Sequence, residues 1–517
     1  MIKVTPAFSQ PLYSVATTRL FERQAASALP PHTLMRRAGL SVARLTMALA
    51  PHAQTIWIAC GPGNNGGDGF EAALHLHQWG KSVVVTWIGL TPGLDKAPPD
   101  AALSRQRALE SGVLMATAPP DQFDVCIDAL LGIGATLDAG RPGTALMQQW
   151  LEAMDTSAAL QLAIDVPTGL SADSGASSWE PATKSIATNT HGISGKGRFS
   201  LCLLTMKPGL FTASGRDRAG QVWFDDLEVS VPAASPANQP CAWLLGADRA
   251  SQAARSASAH ASHKGDFGDV AVVGGESTAL SHMTGAALLA ASAALHAGAG
   301  RVFVVLLGDA PGLSVDVARP EFMFRRFAAL DLQCQVVVCG CGGGVAVKQV
   351  LAQVLSTAVR AVLDADALNA IAVNPKLQAQ LTARHSQNYS TVITPHPLEA
   401  ARLAGISTAA VQADRLLAAQ QLAERFQCTV VLKGSGTVIA APSQQAVINS
   451  TGNALLATAG TGDVLAGMIG ARLASGMEAF DAACSAVFDH GLRADGWASK
   501  RPGQALTASA LAHFQHV

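Results

Sequence analysis

The chain has little of several things that usually betray a function. Only 2 of its 517 residues are tyrosine and aromatic residues make up 5%. Charged residues are scarce at 14%, and 36 Lys plus Arg against 37 Asp plus Glu leave a formal charge of −1. No basic excess exists to hold a polyanion, so nucleic acid is not expected as a partner. The nine cysteines contain no CxxC pair, and Cys339 and Cys341 stand too close together for a zinc knuckle. That is the cysteine usage of a reduced, cytoplasmic chain without a disulfide framework. The opening MIKVTPAFSQ has no apolar core, so no signal peptide is expected. The longest uncharged run, Ser277 to Gly300, is broken by Gly285 and Gly298 and carries His282 and His296. It reads as a buried helix rather than a membrane span.

What is present is apolar material and glycine. Hydrophobic residues make up 49% and there are 48 glycines, the composition of a large α/β protein with tight turns. The stretch Val231 to Cys241, VPAASPANQPC, has three prolines and reads as a linker. It predicts a domain at 1–232, a linker at 233–241 and a second domain at 242–517. Both halves alternate apolar runs with helical stretches, as parallel α/β domains do. Strands are expected at Thr55 to Cys60, Ser82 to Ile88, Phe123 to Leu130 and Leu160 to Val166. In the second half they fall at Val270 to Val273, Val302 to Leu307, Val336 to Val338, Ala361 to Leu363, Val392 to Ile393 and Thr429 to Leu432. Arg19 to Ala48 reads as one amphipathic helical stretch.

Two constellations carry chemistry. In the first half, GPGNNGGDG (Gly61 to Gly69) joins a strand to a helix. Its glycines let a ligand approach the backbone, and the helix start offers unpaired N–H groups to a phosphate. It departs from the dinucleotide fingerprint GxGxxG, because Asn64, Asn65 and Asp68 bring oxygens suited to a hard cation or a sugar hydroxyl. Asp128 precedes the glycine-containing loop LLGIGATLDAG, and Asp165 opens DVPTG. Open parallel sheets bind ligands at strand carboxyl ends, so these three loops are expected to converge.

In the second half, ATAGTGDVLAG (Ala457 to Gly467) is a glycine turn feeding an apolar helix with Asp463 in its first turn. It is an anion hole with a proton acceptor beside it, suited to phosphoryl transfer without a Walker lysine. LKGSGT (Leu432 to Thr437), VLDADALN with Asp364 and Asp366, and TPHPLEAARL with His396 before a proline-started helix are its companions. His396 reads equally as a helix cap and as a ligand contact.

GPGNNGGDG, DALLGIG and DVPTGL, with the upstream LMRRAG, resemble the YjeF N-terminal domain, an NAD(P)H-hydrate epimerase, over roughly residues 12 to 230. The resemblance implies a Rossmann-like αβα sandwich that interconverts the R and S forms of NADH or NADPH hydrated at C6 and binds a potassium ion. Carried over by position, Asn64, Asn65, Gly66, Gly67 and Asp68 contact the hydrated nucleotide, as does the loop Gly132, Ile133, Gly134, Ala135, Thr136, Leu137 and Asp138. Asn65, Asp128 and Thr168 hold the cation, and Asp165 is the acid/base. The family more often has Ser where Thr168 stands, and either hydroxyl supplies an oxygen ligand. NTHGISGK, ending at Lys196, departs from the family's pattern.

HKGDFG, VVGG, ARPEFM, GCGGG, DADALN, TPHPLEA, LKGSGT and GTGDVLAG, in that order, resemble the YjeF C-terminal domain, an ADP-dependent NAD(P)H-hydrate dehydratase of ribokinase-like fold. This implies that ADP is the co-substrate, with magnesium, and that the S form is dehydrated while ADP becomes AMP and phosphate. Lys433, Gly434, Ser435, Gly436, Thr437 and Gly462 then bind the adenine nucleotide. Ala286, Gly343, His396 and Asp463 face the hydrated cofactor, with Asp463 catalytic. Two residues depart from the family: Cys341 stands where GPGxG has proline, and Met283 where an aromatic is common. A homo-oligomer is expected from both resemblances. Two other readings stay open at this point: a small-alcohol kinase in the second half, and a non-catalytic ligand-binding module in the first.

Overall fold

A computed structural model describes residues 1–91, 94–138, 140–180, 197–230, 238–252, 260–308 and 314–513. Most of the expected linker and the NTHGISGK stretch lie outside the described residues. The chain divides into two compact units. One comprises Met1–Thr5 and Pro11–Ala242, and the other Pro6–Gln10 and Trp243–Val517. Both are α/β.

In the first unit an eight-stranded sheet is built around Thr55–Cys60 and Val125–Ala129. Beyond Thr55–Cys60 lie Ser82–Trp87 and Leu114–Ala116; beyond Val125–Ala129 lie Leu160–Ile164, Arg198–Leu203 and Gln221–Asp225. All of these run parallel, and Ile2–Lys3 adds an antiparallel edge. The central strands are buried on both faces, which is why they read as unbroken apolar runs. Strand order reverses between Thr55–Cys60 and Val125–Ala129, so a crevice opens at their carboxyl ends. Gly61 and Asp128 stand there.

Arg19 to Ala48 is two helices, Val15–Ala28 and Thr33–Leu49, not one. Pro30 and Pro31 lie between them, and His32 takes a left-handed conformation (φ 67°). Proline lacks the N–H that a continuous helix needs there.

The second unit holds most of an eleven-stranded sheet. Its parallel part runs Met323–Phe324, Arg301–Leu306, Asp269–Gly274, Val336–Cys339, Arg360–Leu363, Ser390–Ile393 and Thr429–Leu432. The antiparallel strands Val438–Ala440 and Ala446–Asn449 follow, then Ala242–Leu245 and Gln10–Leu12. Within this unit the segment Pro6–Gln10 is tied down by Ser9, whose amide and hydroxyl both donate to Asp248 at 2.8 Å. The uncharged run at 277–300 forms a helix only over Thr284–His296; its first seven residues are turn and bridge. Among the described residues no helix is long and apolar enough to cross a membrane.

Helix Thr284–His296 packs against helix Thr461–Ala474, and small residues set the distance. A Cβ on Gly467 would lie 2.0 Å from the Ala290 carbonyl oxygen. Gly467→Ala is therefore expected to push the two helices apart at a cost of roughly 1–3 kcal/mol. Calorimetry should show a lowered unfolding temperature for the second unit. The dehydration rate should fall as well, since the displaced helix carries Asp463.

Candidate functional sites

In the first unit, helix Asn64–Gln78 begins inside the glycine run, with Gly63 as its N-cap and no side-chain cap. Its first N–H groups are left for a ligand. The turn is tight: a Cβ on Gly61 would sit 1.7 Å from the Leu130 carbonyl oxygen. Asn64 is exposed and Asn65 is buried, so the two asparagines cannot play the same part. The buried Asp128 carboxylate organises the neighbouring loops. It accepts from the Thr168 amide at 2.8 Å, the Thr168 hydroxyl at 2.7 Å and the Leu130 amide at 3.2 Å. The Thr168 hydroxyl oxygen in turn accepts from the Leu131 amide at 3.0 Å.

Asp165 has a left-handed backbone (φ 65°), a costly conformation for a non-glycine residue. Its carboxylate is ion-paired with Lys207 and accepts the Leu203 amide at 3.1 Å. Lys207 is fully buried and also donates to the Leu203 carbonyl at 2.7 Å. Burial pulls its ammonium towards the neutral form, but Asp165 beside it outweighs that, so Lys207 is held above the usual lysine range. Around this pair stand more carboxylates. Burial pushes Asp68 well up, and Asp165, Glu22 and Glu71 push the same way. Glu22 is raised by burial and then by Asp165. One buried ammonium thus sits among several acids, and Asp68 is held well above the usual carboxylate range.

The loop after Gly132 divides. Gly132 lies beside Asn65, and the Ile133 carbonyl is reached by Arg19 at 3.5 Å. Gly134 is exposed, Ala135 is half-buried and Thr136 is exposed. Leu137 turns into the hydrophobic core, and Asp138 is spent on its own turn, accepting the Gly140 amide at 3.0 Å. Gly66 and Gly67 are packed against the Gly61 carbonyl and Met35. Lys207 and Glu22 were missed in the sequence. Neither lies in a glycine motif, and Thr18, one turn before Glu22, is what anchors that helix, its hydroxyl 2.7 Å from that of Thr205.

In the second unit, four parallel strands end side by side at the site. Thr394, after Ser390–Ile393, donates its hydroxyl to Asp364 at 2.7 Å, and Lys433, after Thr429–Leu432, pairs with the same oxygen at 2.6 Å. Burial alone would lower the Lys433 ammonium, but Asp364 and Glu399 outweigh it and raise it. A Cβ on Gly462 would lie 3.3 Å from Lys433 Nζ, so that ammonium stands at the start of helix Thr461–Ala474. The combination is an anion site with two positive elements, the ammonium and the helix N-terminus. Asp463 is partly buried in the first turn, and burial followed by the Asp364 charge raises it to about 7.

Cys341 Sγ and one oxygen each of Asp364 and Asp463 lie within 4.8 Å of one another. The Gly342–Ala346 backbone is held by carboxylates: Asp366 accepts the Gly344 amide at 2.8 Å, and Glu276 accepts the Ala346 amide at 2.7 Å. Ala286 is brought against this loop, 2.9 Å from where a Cβ on Gly342 would be, and Gly343 is buried beside it. Gly434 and Ser435 are exposed, Gly436 is buried, and the Thr437 hydroxyl donates to the Gly434 carbonyl at 3.1 Å. Arg415, from helix Arg415–Phe426, fixes this loop from below by donating to the carbonyls of Leu432 and Lys433 at 3.0 and 3.1 Å.

His396 is the N-cap of helix Pro397–Ala404. Its Nδ1 accepts the Leu398 amide at 3.1 Å, and Nε2 faces Glu399 at 3.2 Å. Both ring nitrogens are engaged, which puts the ring proton on Nε2. Any contact with a ligand would come from the ring face or carbons.

A family model described as NAD(P)H-hydrate dehydratase matches residues 270–515, and one described as YjeF-related protein N-terminus matches residues 31–205. The bifunctional NAD(P)H-hydrate repair enzyme Nnr of Escherichia coli is 34% identical over 514 residues, 95% of this chain and 90% of that protein. The chain belongs to the bifunctional NAD(P)H-hydrate repair enzymes. The Coxiella burnetii repair enzyme is likewise 34% identical, across 98% of both chains. An ADP-dependent (S)-NAD(P)H-hydrate dehydratase of Neisseria meningitidis is 44% identical over 46% of this chain and 80% of its own. An ADP/ATP-dependent NAD(P)H-hydrate dehydratase from Bacillus subtilis, solved with ATP/Mg2+, is 30% identical, covers 50% of this chain and 91% of that one, and gives a TM-score of 0.43.

Within the repair-enzyme frame, the metal expectations separate. A monovalent cation fits the first unit. Asn65 is buried with its Nδ2 unpartnered, and turning the amide over would present an oxygen there instead. Asp128 and Thr168 add oxygens close by. Magnesium does not fit the Cys341, Asp364 and Asp463 group. One of its three donors is a thiol, and Lys433 already neutralises Asp364.

Proposed function

We propose that the chain restores hydrated NADH and NADPH in two steps, one in each unit. The first unit interconverts the R and S forms at C6, and the second dehydrates the S form with ADP. What supports this most is that the chain matches whole bifunctional relatives end to end while carrying two separate sets of strand-end carboxylates, each beside a lysine.

At C6 the hydroxyl and the ring nitrogen share one carbon. Loss of the hydroxyl leaves an iminium ion, to which water returns on either face. Asp68, its carboxyl held well above the usual range, gives the departing hydroxyl its proton, and Asp165, oriented by Lys207, takes one from the incoming water. Asn64, Gly66 and Gly67, with Gly132 to Thr136 of the following loop, hold the nucleotide. Asn65, Asp128 and Thr168 would hold a potassium ion, which would supply positive charge beside the loops that begin at Gly61, Leu130 and Asp165.

In the second unit, Lys433 to Thr437 and Gly462 bind the ADP phosphates, and Ala286, Gly343 and the His396 ring bound the hydrated ring. Asp463 removes the C6 hydroxyl proton as that oxygen attacks the terminal phosphorus. The bond to the AMP oxygen breaks and AMP leaves. Phosphate then departs from C6 as a proton is lost from C5, which gives the C5–C6 double bond of NAD(P)H. Magnesium, if used, comes with the nucleotide phosphates. The cysteine usage of the sequence, with no CxxC pair among nine cysteines, supports a reduced, cytoplasmic setting.

The test is to give the full-length chain an R/S mixture of NADPH hydrate and follow NADPH absorbance with ADP, with ATP and with neither, in potassium and in tetramethylammonium salts. The expected result is ADP-dependent recovery of the whole mixture, faster in potassium. Recovery of the S portion alone would reduce the first unit to a binding module. Nucleotide consumed only when small alcohols are added would replace the dehydratase with a kinase.

A further inference from the structure

Helix Ala479–Lys500 lies along the segment that leads into the anion site of the second unit. Asp495 accepts the Gly452 amide at 2.8 Å and the Asn453 side-chain amide at 2.9 Å. The Thr451 hydroxyl donates to the Phe488 carbonyl at 2.8 Å. Gly491 allows this approach, since a Cβ there would lie 2.3 Å from the Thr451 hydroxyl oxygen. Next to it, His490 is buried, and its Nε2 lies 2.9 Å from the Thr461 carbonyl oxygen. A carbonyl oxygen only accepts, so Nε2 carries the ring proton and donates it. Burial pulls His490 down to about 4, so the ring is neutral at about pH 7 and Nε2 stays a donor.

Thr461 opens helix Thr461–Ala474, and its hydroxyl donates to the Leu456 and Thr458 carbonyls at 2.8 and 2.9 Å. The residue is thus held on two sides, by its hydroxyl on the preceding turn and by His490 on its carbonyl. The Thr461 carbonyl and the Gly462 N–H are the two ends of one planar peptide unit. A hydrogen bond given to the carbonyl draws electron density towards oxygen and makes the N–H at the other end a stronger donor. That N–H lies in the first turn, where no intrahelical acceptor exists, and Gly462 stands beside the Lys433 ammonium. We infer that His490 is a positioning residue of the dehydratase site, fixing and polarising the Thr461–Gly462 peptide so that the Gly462 N–H holds the terminal phosphate of ADP. This rests on the dehydratase reading above.

The experiment compares the full-length chain with His490→Leu, which removes the donor, and His490→Gln, whose amide supplies another. Calorimetric titrations with ADP and with AMP are read beside the kinetics of ADP-dependent dehydration of S-NADPH hydrate. His490→Leu is expected to lower ADP affinity and kcat/KM for ADP by about 3- to 10-fold. AMP affinity and the KM for the hydrate should not move, because neither molecule carries the terminal phosphate. His490→Gln should recover most of both losses. Nitrogen-15 NMR of the wild type, with the His490 signals identified by their loss in His490→Gln, should place the ring proton on Nε2 at about pH 7. That readout stands even if His490→Leu does not fold. ADP affinity unchanged in His490→Leu, ADP and AMP weakened alike, a glutamine variant no better than leucine, or a ring proton on Nδ1 overturns the role. A wild-type chain that binds ADP without dehydrating the hydrate would sink the dehydratase reading, while the ADP affinities of the variants still decide the part His490 plays. A wild-type chain that binds no ADP sinks both.

Discussion

Asp463→Asn is expected to lower ADP-dependent dehydration by about 10²- to 10⁴-fold, the range for loss of a positioned general base. Epimerisation by the same protein should continue, which gives an internal control for folding. The pH profile follows from the same residue. Asp463 must be ionised to accept the hydroxyl proton, and burial beside Asp364 raises it to about 7. The rate should therefore climb with pH through that value and level off above it. Stability runs the other way. A carboxyl whose folded pKa is raised opposes folding once pH exceeds its unfolded value, here 3.8, and the penalty grows until the folded group has ionised. Asp463→Asn should thus leave the unfolding temperature nearly unchanged at about pH 4 and raise it at about pH 8. A variant that retained dehydration within tenfold would remove Asp463 from the proton transfer.

The second large effect is expected at Lys207. Its ammonium is fully buried and paired with Asp165. Lys207→Met leaves the Asp165 carboxylate among Asp68 and Glu22 with its cation gone. Breaking a buried pair from one side costs about 3–5 kcal/mol, so the first unit should unfold at markedly lower temperature and epimerisation should be lost. The double variant Asp165→Asn/Lys207→Met removes the stranded charge. It should recover much of the stability and none of the epimerisation. A single variant as stable as wild type would mean that the pair does not carry the fold. A double variant that still epimerised would remove Asp165 from the mechanism. At neutral pH the pair contributes fully. Because Lys207 is held above 10.5, that contribution is present below this value and is lost only as pH rises through the higher folded value.

How much of this was legible follows from where the signals lie. Buried parallel strands such as Thr55–Cys60 and Thr429–Leu432 announce themselves, because burial on both faces demands continuous apolar runs. Strands that are short or interrupted by polar residues do not. Arg198–Leu203 and Ala446–Asn449, although paired on both sides, passed unread, as did the short Gln10–Leu12. The break between Val15–Ala28 and Thr33–Leu49 was written plainly in Pro30 and Pro31, and amphipathic spacing on either side masked it. At the sites, glycine turns and strand-end acids stood out because their composition is unusual. Glu22, Lys207, Thr394 and Arg415 did not, because each is an ordinary residue whose partner lies far along the chain. Lys207 is 42 positions from Asp165, and Thr394 is 30 from Asp364. His396 shows the converse: its place before a proline-started helix fitted two parts, and the hydrogen bonds show the cap.

The short segment Pro6–Gln10 bears on how the enzyme is taken apart. It follows Met1–Thr5 and precedes the rest of the first unit in sequence, yet belongs with the second. The Pro6 carbonyl accepts the Ala247 amide at 2.8 Å, and the Ser9 hydroxyl accepts the Gly246 amide at 2.9 Å. The gene therefore cannot be split once into two self-sufficient halves. A fragment starting at residue 243 would leave those amides without their native acceptors, and a fragment ending near residue 242 would carry a stretch with nothing to bind. Reconstituting the repair reaction from separately expressed halves would require grafting residues 6–10 onto the C-terminal piece. Point variants in the intact chain separate the two chemistries more cleanly than truncation does.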